Sequence, residues 1–191
     1  MTPLEGVALA AIVLVVGLGV FVALSNFNAV IALQQRADKA WANIDVALKQ
    51  RHDMLPNLVA AVRGLMAYEQ DVLVAVTRAR AAYSPTDPIP AQAATSDQTT
   101  AAVKSLFAVV ERYPDIKSAA SVLDLQDEIE RIEGMIAARR ELYNDQVYRY
   151  NTRIGQVPGA LMAPVFGWRE REFFEAEPAD AHRPDTDLGT T

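Results

Sequence analysis

Hydrophobic residues fall along this chain in two patterns. From Gly6 to Leu24 they form one unbroken run, GVALAAIVLVVGLGVFVAL, without charge or proline. As a helix it is roughly 28 Å long, close to the ~30 Å hydrocarbon core of a bilayer. It has no polar stripe, as a core helix of a soluble protein would, so it predicts a transmembrane helix. Ser25 to Asn28 is expected to form a short interfacial hinge. From about Ala29 the pattern becomes a heptad. One set of positions reads Trp41, Leu48, Leu55, Val62, Glu69 and Val76, the other Ile44, Arg51, Leu58, Leu65, Val72 and Ala79. These are a and d positions. Their phase passes through Pro56, which predicts a kinked helix, or two helices in register, over about 29–82.

Tyr83 to Thr100 breaks the period with Pro85, Pro88 and Pro90 among Ser, Thr and Asp, and predicts a mobile loop. Val103, Leu106, Phe107, Val110 and Tyr113 predict an amphipathic helix over about 97–113, stopped before Pro114. Ser118 or Ser121, the latter with Asp124 three residues on, is the candidate cap of a second long helix. Its seam carries Ile129, Ile136, Tyr143 and Tyr150, interleaved with Leu125, Ile132, Arg139 and Gln146, and it stops at Gly155 and Pro158. Pro164 and Gly167 are expected to interrupt the short helical segment after that stop. The tail from Glu177 lacks hydrophobes and reads as disordered. No stretch alternates like a strand. The expectation is an all-α chain: an N-terminal transmembrane anchor (1–27), an elongated antiparallel helical bundle (28–176) and an acidic tail (177–191).

A cleaved signal peptide would need basic residues before a shorter apolar core, yet the flank Met-Thr-Pro-Leu-Glu carries only Glu5. An uncleaved anchor is expected. Arg36 and Lys39 are the first basic residues after it, which favours an outer N-terminus and a cytoplasmic bundle. The net charge of −6 argues against a nucleic-acid partner, and the absence of cysteine rules out disulfides and thiolate metal sites.

No catalytic, cofactor-binding or metal-ligating residue is nominated. His52 lies beside Asp53, but neighbouring helix residues project about 100° apart and are not expected to meet. Di-iron, phosphate-loop, G-x-S-x-G and H-E-x-x-H patterns are missing from the sequence. The informative polar residues sit on the seams. Arg51 and Glu69 each either snorkel or pair across the bundle, with Arg139 as the candidate partner of Glu69, and such a pair would set register between helices or subunits. Tyr143-Asn144 and Tyr150-Asn151 repeat seven residues apart, with rings on the core stripe and asparagines beside it. They read as core packing, or as a peptide or lipid-head pocket. Gly167-Trp168 and Phe173-Phe174 either cover the end of the bundle or touch the membrane surface; packing is expected, because the acidic Glu170, Glu172, Glu175 and Glu177 would be repelled by anionic lipids.

Several stretches together resemble the LemA family of bacterial membrane proteins: AWANIDVALKQRHDMLPNLVAAVRGLMAYEQ from Ala40, VTRARAAY from Val76, YPDIK from Tyr113, RRELYNDQVYRYN ending at Asn151, and VFGWREREFFEAEP from Val165. Met54 stands where that family usually has Leu, and Trp168 where Phe is usual. The resemblance implies an antiparallel helical bundle on an N-terminal anchor and no established enzymatic role. The expected function is a membrane scaffold in the lipid bilayer, working as a homo-oligomer and by binding other membrane proteins. The alternative is an adaptor for a membrane protease or sensor that docks through the 83–100 loop or the tail.

Overall fold

The computed structural model describes residues 3–63, 69–117 and 119–175. Of the described residues 86% are helical and none is in a strand. The elements are α1 (Pro3–Arg63), α2 (Gln70–Ala81), α3 (Ile89–Val110), α4 (Pro114–Lys117), α5 (Ala120–Gly155) and α6 (Gly159–Phe166). The chain divides into two compact units. The first combines Met1–Ala42 with Glu141–Arg171, and the second combines Asn43–Arg140 with Glu172–Thr191.

In the first unit, α1 carries the apolar run. Its most apolar stretch has a mean hydropathy of 3.0 and none of that stretch is buried, so this segment of helix is long and apolar enough to cross a membrane. The expected hinge is absent. Ser25 to Asn28 continue the helix, because Asn26 is buried with its Nδ2 donating to Met162 Sδ at 3.4 Å. Beyond it, Val30 packs with Tyr150 and Ile154, flanked by Leu33, Ala163 and Trp168. Trp41 lies 5.5 Å from Tyr143, centroid to centroid. Partners climb α5 as they descend α1, so the two segments run antiparallel. Ala37 and Ala40 are buried on α1, and side chains that small let helices approach closely.

α6 turns back from α5 through Gly159. A Cβ there would sit 2.1 Å from the Arg153 carbonyl oxygen, so only glycine fits. Pro164 does not interrupt α6, contrary to expectation. The stop is Gly167, left-handed at φ 68°, the conformation glycine adopts most cheaply at a helix end.

In the second unit the core gathers Leu55, Leu58 and Val62 of α1, Leu73 and Val76 of α2, four valines and leucines of α3 from Val103 on, Ile116 of α4, and Val122 and Ile129 of α5. Pro56 stays inside α1 rather than starting a second helix in register; the unbroken heptad phase is compatible with both. The 29–82 helix is nevertheless divided: α1 ends at Arg63, and Glu69 caps α2 with non-helical φ −106° and ψ 45°. Leu65 lies outside the described residues.

The expected loop over 83–100 is mostly helix. α3 starts at Ile89, six residues after Tyr83, with Pro88 as N-cap and Pro90 in its first turn. Proline is favoured there because first-turn N–H groups have no helical acceptor. The Gln92 side chain fastens the remaining turn by donating to the Pro85 and Asp87 carbonyls at 3.2 and 2.8 Å. A docking element formed by residues 83–100 is therefore largely a core helix. α3 ends at Val110, short of the expected 113. α5 begins at Ala120, so Ser121 is inside the helix rather than its cap. Ser118 and the tail from Glu177 lie outside the described residues.

Candidate functional site

The polar seam residues fall into two groups, one in each unit. The first is centred on Arg51, which α1 holds at a seam position where it is 3% exposed. Its Nη1 donates to Glu133 Oε1 at 2.8 Å and to Thr100 Oγ1 at 3.0 Å. Its Nη2 donates to Ser96 Oγ at 2.9 Å and to the Ser96 carbonyl at 3.3 Å. The Thr100 hydroxyl donates to Glu133 Oε2 at 2.7 Å. α1, α3 and α5 are thus joined through one guanidinium. A charge so far from water is tolerated only when an opposite charge and hydrogen bonds replace its hydration, and both are present.

The expected Arg139–Glu69 pair does not form. Glu69 Oε1 accepts from Arg112 Nη2 and from the Tyr113 hydroxyl, both at 3.2 Å, tying the start of α2 to the end of α3. Arg139 Nη1 instead donates to the Asn43 carbonyl at 2.8 Å, which links α5 to α1. His52 and Asp53 do meet, at 3.3 Å, because side chains at the helix surface can bend across the 100° that separates their Cα–Cβ directions. Tyr83 donates to Asp45 Oδ1 across 3.4 Å. Burial, reinforced by the charge of Asp45, raises its phenol above the ordinary range.

The second group lies in the first unit around Tyr150 and Asn151. Asn151 Nδ2 donates to the Arg171 carbonyl and Asn151 Oδ1 accepts from the Arg171 N–H, both at 2.9 Å. That two-point clamp holds a stretch of chain that lies outside any helix. Arg171 in turn lies over the Tyr150 ring at 5.4 Å and donates to Asp38 Oδ1 at 2.6 Å. Burial raises the Tyr150 phenol, and Arg171 partly offsets the rise. Tyr143 is buried against Trp41, and Asn144 is half-buried beside it. Phe27, Phe166 and Trp168 form a separate aromatic cluster with centroid separations of 4.9–5.7 Å. In the second unit Phe174 is buried under Arg140 at 5.5 Å, while Phe173 is 37% exposed.

Sequence reasoning missed Ser96, Thr100 and Glu133 around Arg51, and Asp38 and Arg171 around Asn151. A buried seam arginine requires an anion opposite, but Glu128, Glu130 and Glu133 all offered one. Arg171 gave no periodic signal, since it lies outside any helix. Among the described residues no group of three or more His, Asp or Glu side chains could hold a metal ion.

The sequence profile of the LemA family matches residues 40–188. Two curated proteins of Paramagnetospirillum magneticum, magnetosome protein MamQ 2 and magnetosome protein MamQ 1, are each 36% identical to this chain over 78 residues. Magnetosome protein MamQ of Magnetospirillum gryphiswaldense is 32% identical over 78 residues. In each case the match covers 41% of this chain and 29% of the relative. The aligned segment thus spans under a third of the length of these relatives.

Proposed function

The chain belongs to the LemA family, and from that membership we propose that it is a membrane-anchored, non-enzymatic scaffold acting by binding to itself and to other membrane proteins. One observation carries this reading. The charge-free run in α1 is left unburied, while the same helix continues through Asn26 and Val30 into a packed core. Exposed apolar surface of that extent is costly in water and favourable in lipid. Arg51, Ser96, Thr100 and Glu133 bond to one another, as structural groups do. The MamQ relatives, named for the magnetosome, support a role at an organised cellular structure over the 78 residues they share.

Alkaline carbonate washing of membranes that contain the full-length chain tests the anchor. The protein stays in the pellet, and a variant lacking residues 4–24 is released. Release of the intact chain would defeat the reading. We place the bundle in the cytoplasm on the strength of Arg36 and Lys39. Thr2→Cys and Ser105→Cys, labelled separately on whole cells with an impermeant maleimide, decide this. Labelling only at position 2 agrees with it, and labelling only at position 105 reverses it.

A further inference from the structure

Next to the apolar run, the first unit presents a second lipid-compatible surface. The eight residues of α6, GALMAPVF, include no side chain that donates or accepts a hydrogen bond, apart from the weak thioether of Met162. One side of the helix is used: Ala163 packs against the Val30 cluster, and Met162 receives the Asn26 amide. The other side is open. Leu161 is 71% exposed and Val165 77%, at helical i, i+4 spacing, and Val157 just before the helix is 78% exposed. A face turned to water would carry polar residues.

Position along α1 identifies the occupant. Phe166 touches Phe27 at 4.9 Å, and Phe27 lies three residues past Leu24, about 4.5 Å further along the axis. The end of α6 is therefore within one helical turn of the end of the apolar run. Trp168 stacks on Phe166 at 5.3 Å and contacts Phe27 at 5.7 Å, and aromatic residues, tryptophan above all, gather at the headgroup level of membranes. The backbone of α6 also suits a poorly hydrated setting. Ala160 donates to the Gln156 carbonyl, Leu161 to Pro158, and Trp168 back to Ala163, at 2.9–3.1 Å, while Pro164 has no N–H to satisfy. Gln156 precedes the helix and Arg169 comes after it, so polar groups flank the apolar stretch.

We propose that α6 is a second membrane-contacting element. Leu161, Val165 and Val157 enter the boundary between acyl chains and headgroups of the leaflet in which the apolar run of α1 ends. At about 12 Å α6 is too short to cross a bilayer; it braces the base of the anchor. This inference rests on α1 being the anchor.

The test uses the full-length protein in vesicles of phosphatidylethanolamine and phosphatidylglycerol. The chain has no native cysteine, so Leu161→Cys, Val165→Cys and Val13→Cys can each carry a single environment-sensitive dye. The first two positions are exposed, so the substitutions disturb no packing. Labels at 161 and 165 should be quenched by a nitroxide on the lipid headgroup, and iodide should quench them about threefold less than the free dye in buffer. Full iodide quenching without nitroxide quenching would overturn the proposal. Protection from both quenchers would also overturn it, and would assign the face to a second copy or another protein. The label at 13 separates the two readings. If it is shielded from iodide while 161 and 165 sit in water, only the role of α6 fails. If it is in water too, the anchor fails.

Discussion

Arg51 Nη1 and Glu133 Oε1 meet at 2.8 Å, with the arginine side chain 4% exposed and the glutamate 22%. The pair joins α1 to α5, and the Ser96 and Thr100 hydroxyls of α3 complete it. Removing one partner strands the other, whereas removing both strands neither. Arg51→Ala is expected to destabilise the chain by about 3 kcal/mol, and Arg51→Met combined with Glu133→Leu by much less. Thermal unfolding of the three proteins in one lipid or detergent checks this. Equal losses in single and double variants would show that the pair is not coupled.

Asn151 fastens the segment after α6 through both Arg171 backbone groups. Asn151→Ala loses both bonds, about 1–2 kcal/mol of local stability. Asn151→Asp keeps an acceptor for the Arg171 N–H but sets a carboxylate against the Arg171 carbonyl, so it is expected to be no better than the alanine variant. Amide exchange at residues 169–173 should accelerate in both variants, while exchange in the second unit's core stays slow.

Gly159 approaches the Arg153 carbonyl more closely than any Cβ allows. Gly159→Ala is expected to displace α6 at a cost of about 1–3 kcal/mol. With Trp41 replaced by Phe, Trp168 is the remaining tryptophan, and its emission should shift when α6 moves off Phe27.

Tyr83 titrates above its ordinary value of about 10 because it is partly buried and faces Asp45. The folded chain therefore holds the proton more tightly than the unfolded chain. The stability from this group is fully present below pH 10 and is lost as pH rises through the folded value. Tyr83→Phe should flatten that alkaline decline, and Asp45→Asn should lower the phenol's titration midpoint, read from absorbance at alkaline pH.

Much of this architecture was legible in the chain. The apolar run, the heptad positions from Ile44 to Val62 and the stop at Gly155 come from hydrophobic period and helix-breaking residues. The features that escaped have definite physical causes. The first half of α3 buries Gln92, Ala93, Ser96 and Thr99, so it has a helical period without a hydrophobic one, and its prolines read as loop. The hinge at Ser25 to Asn28 failed because Asn26 found a partner 136 residues away. Glu69 left the seam because the helix ends before it. Arg51 was recognisable as a seam charge, but its partner was not, since Glu128, Glu130 and Glu133 crowd about one turn and a half of one helix and only Glu133 meets it. The Asn151 clamp grips backbone atoms, which no side-chain pattern records.

Whether the anchored chain works by association can be decided by counting its copies in the membrane. The full-length protein is extracted from its membrane into polymer-bounded native nanodiscs, without detergent, and single particles are weighed. Discs holding two or more copies, or one copy with another membrane protein cross-linked to it, are expected. Discs that uniformly hold one copy, with nothing captured by cross-linking beforehand, would contradict a scaffold that acts by binding.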